Sequence, residues 1–376
     1  MTYSSPNRFP QLSFSRRLVL VLLAVFALST ASIHAQVLKP DRISFSGNAG
    51  FLVAHRPAIE GLANAHSLGS TVDLQWFTDG SKRWHWLYRR PVCGVQIQYL
   101  SLGEPDLLGH QVSVVPKAAF PFSSVYKRVE HRLYGGAGLG YSSKVWDLNE
   151  NLRTLVISTH LNAVLMVGYE GQWEWKEKLG LNYGVQLSHQ SNGGFSMPNL
   201  GTNTFTVFAG LMFSSEKKPV LPEEAVFTAD LPRIWNQSVS LSYGLKENLP
   251  PEGDKHNVVV LSHSIIRRGN WKTGMILRND LYWDQGVPAL VVDASSKSFP
   301  EVQYGLAFGM AKYYGRLSWE LMMGAYLYAP LNEKGPIYHR FIGRWAMTDK
   351  LDVHVGLRTH WAKADHPEVG IHYRFR

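Results

Sequence analysis

Apolar and polar residues alternate along much of this chain. Leu155, Ile157, Thr159, Leu161, Ala163, Leu165, Val167 and Tyr169 oppose Ser158, His160, Asn162, Gly168 and Glu170. Leu133, Ala137, Leu139 and Tyr141 oppose Arg132, Gly136, Gly138 and Gly140. Further on, Val302, Tyr304, Leu306, Phe308 and Met310 form one face, and Trp319, Leu321, Met323, Ala325 and Leu327 another. Val353, Val355 and Leu357 oppose Asp352, His354, Gly356 and Arg358, and Val369, Ile371, Tyr373 and Phe375 close the series. Long segments of helical period are missing beyond the N-terminal region. A period of two predicts strands with one apolar face.

A soluble sandwich gives the same alternation. Three features favour an all-β, antiparallel transmembrane barrel of the outer-membrane type. The strands are about ten residues long, the length that crosses a bilayer when tilted. Their polar face is rich in Gly, Asn, Gln, Ser and single charges, as a lumen is. Aromatic residues gather near strand ends, among them Trp76, Trp84, Trp86, Tyr88, Trp173, Trp175, Trp283 and Trp361, as in interfacial girdles.

The alternation stops over Ser214–Gln237, a charged stretch with three prolines that reads as a loop or linker. The expected organisation is a leader over 1–35, a first strand-rich region over 36–213, a linker over 214–236 and a second strand-rich region over 237–376. Leu181, Tyr183, Val185 and Leu187 match Leu351, Val353, Val355 and Leu357 in phase, and each region ends on a strand closing in Phe (Phe213, Phe375). Duplication and the general likeness of barrel strands explain this equally well. One barrel of roughly 16 strands and two smaller ones both fit.

The leader sets the compartment. Arg16 and Arg17 precede LVLVLLAVFALSTA and then SIHAQ, the basic, apolar and small-residue regions of an export signal cut after Ala35. An anchor helix is the alternative, but the apolar run is shorter than the ~20 residues a span needs. The formal charge of +9 suits an anionic partner such as nucleic acid, anionic lipid or a phosphorylated glycolipid. Export removes nucleic acid from that set. The single cysteine, Cys93, excludes an intramolecular disulfide. No Cys/His set has zinc spacing and no acidic loop has calcium spacing, so neither metal nor cofactor is expected. Whether the chain forms a homodimer is left open.

The stretch LNYGVQLSHQSNGG, from Leu181 to Gly194, carries the candidate chemistry. Its apolar stripe Leu181, Tyr183, Val185, Leu187 ends in His189 and Ser191 on the same face. Residues two apart on a strand lie roughly 6–7 Å apart at the base, so imidazole and hydroxyl can lean together. A serine hydroxyl needs such a base to attack an ester. The next strand puts Asn203 on the same side as Phe205 and Val207, where a hairpin brings it beside the pair. Its amide can hold the imidazole in the useful tautomer. The connecting loop supplies Asn192, Gly193, Gly194, Pro198, Asn199 and Gly201. Its amides are candidates for an oxyanion site. Spacing alone does not establish catalysis: SNGG and PNLG are also ordinary turn sequences.

H-x-S-N-x-G followed by P-N-x-G resembles the lipid A 3-O-deacylases, a PagL-like family of outer-membrane β-barrel serine esterases also labelled acyloxyacyl hydrolases. The positions are His189, Ser191, Asn192, Gly194, Pro198, Asn199 and Gly201, with Asn203 two further on. The resemblance runs over roughly Ile43 to Phe213. It implies a barrel that removes an ester-linked acyl chain from lipid A of lipopolysaccharide, with His189 as base and Ser191 as nucleophile. Well-known members carry a glutamate where this chain has Asn203. A neutral amide orients an imidazole but does not offset its charge. Glu170 is a poor substitute, because its parity puts it on the polar face. Thr359 and Trp361 fill the corresponding positions of the second region, which is expected to be non-catalytic. A barrel of the same descent with a structural, binding or channel role is the alternative. Lys82, Arg83, Arg89, Arg90, Lys127, Arg128, Arg267, Arg268 and Lys272 are candidates to grip phosphates.

Overall fold

The computed structural model describes residues 39–375 except 64, 123–128, 216–233, 292–296, 332–333 and 362. The expected leader and most of the expected linker lie outside the described residues. Within them the chain forms two closed antiparallel barrels of eight strands each. The first runs β1 (Arg42–Leu52), β2 (His66–Phe77), β3 (Val92–Ser101), β4 (His110–Pro121), β5 (Val129–Ser142), β6 (Leu161–Lys176), β7 (Leu179–Ser191) and β8 (Thr202–Ser214). The second runs β9 (Trp235–Glu247), β10 (Lys255–Arg268), β11 (Thr273–Asp284), β12 (Val302–Tyr314), β13 (Leu317–Tyr328), β14 (Ile337–Ala346), β15 (Leu351–His360) and β16 (Lys363–Arg374). Each strand pairs with the next. β1 closes on β8, with Arg42 opposite Ser214 and Leu52 opposite Thr204. β16 closes on β9, with Glu368 opposite Gly244. Two seams answer the question left open by the sequence: each half is its own barrel.

Alternation decides which face each residue takes. On β7, Tyr183, Val185 and Leu187 point outward and are exposed, while Asn182, Gln186 and Gln190 are buried in the lumen. A bilayer offers no hydrogen bonds, so only a closed ladder with polar side chains turned inward is stable there. The lumens are filled rather than open. In the first, Lys117 Nζ lies 2.7 Å from Asp73 and 3.0 Å from Glu170. Arg132 joins Glu170 at 3.2 Å and also Glu130. In the second, Arg340 bridges Asp280 and Glu368, both at 2.5 Å, and Glu320 holds Arg278 and Arg344 at 2.9 and 2.7 Å. Val258, Val260, Ile276, Met322 and Ile342 pack among these charges. Buried charges persist only when paired in this way. Among the described residues no helix is long and apolar enough to cross a membrane; the two closed barrels turn exposed apolar residues outward, the pattern of membrane-crossing strands.

One expected strand is shorter than its alternation suggests. The pattern runs from Leu155, but β6 starts at Leu161. Val156 instead joins a cap of Leu52, Ile59, Leu62, Leu100, Leu102 and Leu108. That cap covers one end of the first barrel with its own hydrophobic core. Leu155–His160 thus form a loop, and the residue that anchors it in the cap, Val156, lies outside the alternating set. A one-turn helix, α1 (Pro57–Glu60), belongs to the cap, and α2 (Arg83–Leu87) lies in the β2–β3 connection at the opposite end.

The barrels touch at both ends. Tyr88 stacks on Tyr314 with ring centroids 4.6 Å apart, and its hydroxyl donates to the Tyr313 carbonyl at 3.0 Å. At the capped end the Glu247 N–H donates to the Gly194 carbonyl at 3.2 Å.

Candidate active site

β7 and β8 form a hairpin whose register places His189 directly opposite Asn203. Both are half-buried on the outer face, beyond Leu187 and Phe205. His189 Nδ1 lies 2.7 Å from Asn203 Oδ1. An amide oxygen only accepts, so Nδ1 carries the proton and Nε2 keeps its lone pair. Ser191, the last residue of β7, is 8% exposed and sits opposite Ala163 of β6. Its hydroxyl makes no hydrogen bond among the described residues. Histidine and serine thus share a face, two residues apart, without being bonded. Such bonds commonly tighten only when substrate is in place.

The loop from Asn192 to Gly201 is folded by its own amides. Asn192 Oδ1 accepts from Gly194 N–H at 3.0 Å and Ser196 N–H at 3.4 Å. Its Nδ2 donates to Ser196 O at 2.9 Å and Ser158 Oγ at 3.3 Å. Asn199 Oδ1 accepts from the Asn192 N–H at 3.1 Å. These bonds commit the Asn192 side chain, the Asn199 oxygen and the N–H groups of 192 and 194 to holding the loop. The Gly193 N–H makes no hydrogen bond among the described residues. Gly193, Gly194 and Gly201 have φ of +72°, +93° and +78°, a region that suits glycine.

The second barrel forms one wall of this loop. A Cβ on Gly193 would meet Leu357 and Pro367, and one on Gly194 would meet the Asp365 carbonyl at 2.7 Å. Ser196 Oγ donates to Glu247 Oε2 at 3.0 Å, and Lys255 lies over the Phe195 ring, 5.0 Å from its centroid. None of these partners was signalled by the sequence. Neither was His55, whose Nδ1 lies 2.9 Å from Asn203 Nδ2. Its position follows from the backbone of Val53, whose N–H donates to the Asn203 carbonyl at 2.7 Å, and a lone histidine before Arg-Pro gives no hint of that.

Other expectations resolve by position. Glu170 is fully buried in the lumen on Lys117 and Arg132, away from His189. Trp361 is 66% exposed, while His360 turns inward to Tyr326 at 2.9 Å. Arg83, Arg89 and Arg90 lie in the β2–β3 connection, at the end away from His189. There Arg83 stacks on Trp271, Arg90 on Trp86, and Arg89 donates to the Phe122 carbonyl. Arg267, Arg268 and Lys272 stack on Trp235, Tyr313 and Tyr88. Lys127 and Arg128 lie outside the described residues.

Residues 70–212 match the family described as lipid A 3-O-deacylase (PagL). Residues 235–376 match the C-terminal domain of acyloxyacyl hydrolase, PagL_C. The chain belongs to the PagL family. The two matches fall on the two barrels and together take in well over half of the sequence. The family is one of ester hydrolases, and membership places this barrel protein in the bacterial outer membrane. No curated protein matches the chain. Among solved structures, Neisserial surface protein A is 9% identical, with a TM-score of 0.33, over 46% of this chain and 96% of that one. The outer membrane enzyme PagL is 18% identical, with a TM-score of 0.31, over 44% of this chain and 97% of that one. A Rhodopseudomonas blastica porin overlaps 89% of this chain at 8% identity and a TM-score of 0.17. Membership in the PagL family rests on the two model matches and not on these overlaps.

Proposed function

We propose that the first barrel is a serine esterase that removes an ester-linked acyl chain from lipid A, with Ser191 as nucleophile and His189 as base. The observation that carries this is the 2.7 Å bond from His189 Nδ1 to Asn203. It leaves Nε2 basic on the face that also bears Ser191, at the end of a stripe of exposed Tyr183, Val185 and Leu187. Acyl chains lie along that stripe and the ester reaches the boundary where the stripe ends. His189 Nε2 takes the Ser191 proton as Oγ attacks the acyl carbonyl. The Gly193 N–H stabilises the oxyanion. Collapse transfers the proton from His189 to the departing sugar oxygen and leaves an acyl-serine. Water, deprotonated by His189, then attacks the acyl-serine, and His189 returns the proton to Ser191 Oγ as the fatty acid leaves. The filled lumens argue against a channel.

Ser191→Ala and His189→Ala are each expected to leave lipid A fully acylated in outer membranes examined by mass spectrometry. A fluorophosphonate probe is expected to label the parent on Ser191 and to miss the alanine variant. Deacylation by either variant at the parent's rate refutes the assignment.

A further inference from the structure

The hydrogen bonds of Asn203 reach outside its own hairpin, to His55. The hydrogen bonds around Asn203 form a chain that ends on a backbone carbonyl. His55 Nε2 lies 3.0 Å from the Leu200 carbonyl. A carbonyl only accepts, so Nε2 of His55 carries the proton and its Nδ1, when the ring is neutral, bears a lone pair. That lone pair faces Asn203 Nδ2 at 2.9 Å, so the amide must present its NH2 group to His55. Its oxygen then faces His189 Nδ1 at 2.7 Å. The competing partner of His55 Nδ1 is the Val53 carbonyl at 3.4 Å, which is too long to win the proton from Leu200.

We infer that His55 is a positioning residue: by accepting from Asn203 Nδ2 it fixes the orientation of that amide, and with it the Nδ1–H tautomer of His189. The inference deepens the esterase reading and rests on it for its consequence, not for its geometry. An amide is ambivalent. Rotated by half a turn about its terminal bond, Asn203 would offer NH2 to His189 Nδ1, and the imidazole would respond by carrying its proton on Nε2, where it is no longer a base. A carboxylate in the same place needs no such guidance, because both its oxygens accept. The neutral third member therefore creates a need that His55 meets. Val53 holds the loop to β8 through its bond to the Asn203 carbonyl, so His55 and the amide it orients move together.

The test is nitrogen NMR of the full chain labelled in its histidine rings and held in detergent micelles, for the parent, His55→Gln and His55→Leu. The parent is expected to show His189 protonated on Nδ1. Gln places an oxygen acceptor and an NH2 donor in the same order, so His55→Gln keeps that signal. Leu removes the acceptor, and a mixed or Nε2–H signal is expected. Initial rates on lipid A should follow: kcat falls roughly tenfold or more in His55→Leu with KM unchanged, and returns to within about threefold of the parent in His55→Gln. An Nε2–H signal in the parent, or the parent's signal and rate in His55→Leu, overturns the inference. The NMR readout does not need turnover. A parent with the expected tautomer that fails to label on Ser191 refutes the esterase reading and leaves this one standing.

Discussion

Asn203 stands directly across the β7–β8 ladder from His189, and its Oδ1 accepts the imidazole proton at 2.7 Å. The contact orients the ring but brings no negative charge to the imidazolium that the proposed mechanism would form. Two substitutions separate orientation from charge. Asn203→Leu removes both the acceptor and the ring's anchor, and kcat is expected to drop on the order of a hundredfold, the usual worth of a positioned general base. Asn203→Glu adds the charge, and kcat is expected to rise roughly tenfold, which corresponds to about 1.4 kcal/mol of transition-state stabilisation. Initial rates of lipid A deacylation by the two purified variants check both directions. A glutamate variant no faster than the parent would show that the acceptor's charge is irrelevant here.

Gly201 is where the His189 ring has room to lie. A Cβ there would come within 2.6 Å of His189 Cε1 and 3.2 Å of the Gln190 carbonyl, and the residue's φ is +78°. Gly201→Ala therefore strains the backbone by about 1–2 kcal/mol and pushes the imidazole off Asn203. The expected outcome is a kcat loss of more than about tenfold in a barrel that still shows the parent's heat-modified mobility on gels. Full activity in this variant would mean that the ring does not occupy its observed place during turnover.

The strands and the His189–Asn203 pair were legible because both depend on parity. A period of two assigns each residue a face without knowledge of its neighbours, and a short hairpin loop limits which residues can meet. The same reasoning put Glu170 on the polar face, and it lies in the lumen. It failed at Leu155–His160, a loop from which Val156, out of phase with the alternating set, packs into the cap. It was silent on His55, Glu247 and Asp365. These contacts depend on how a loop returns over a barrel end and on how one barrel meets the other. Local periodicity encodes neither.

Lys117 is closed in by Asp73 and Glu170, all three nearly without exposure. Breaking a buried pair leaves a charge without compensation, which costs about 3–5 kcal/mol. Lys117→Met leaves two facing carboxylates and is expected to lower the barrel's stability by that amount, measured as a shift in the urea midpoint of unfolding. The same packing predicts that the parent conducts no measurable current in a planar bilayer. Stable ion-selective steps from the purified parent would restore the channel reading.

Gly194 ties the loop of the proposed site to the second barrel. The glycine lies with φ at +93° and its carbonyl on the Glu247 N–H. A methyl group there would strike the Asp365 backbone at 2.7 Å, which has no flexible end to move aside. Gly194→Ala must therefore separate the loop from the second barrel, and it moves the neighbouring Gly193 N–H with it. Losing one oxyanion donor costs about 10²–10³ in kcat, and a misplaced donor is expected to cost part of that, on the order of tenfold. Ser196→Ala removes only the hydroxyl contact to Glu247 and is expected to change the rate less than about threefold. Rates for the two variants, with fluorophosphonate labelling to confirm that Ser191 remains reachable, give the comparison. If Gly194→Ala turns over like the parent, the second barrel does not shape the site.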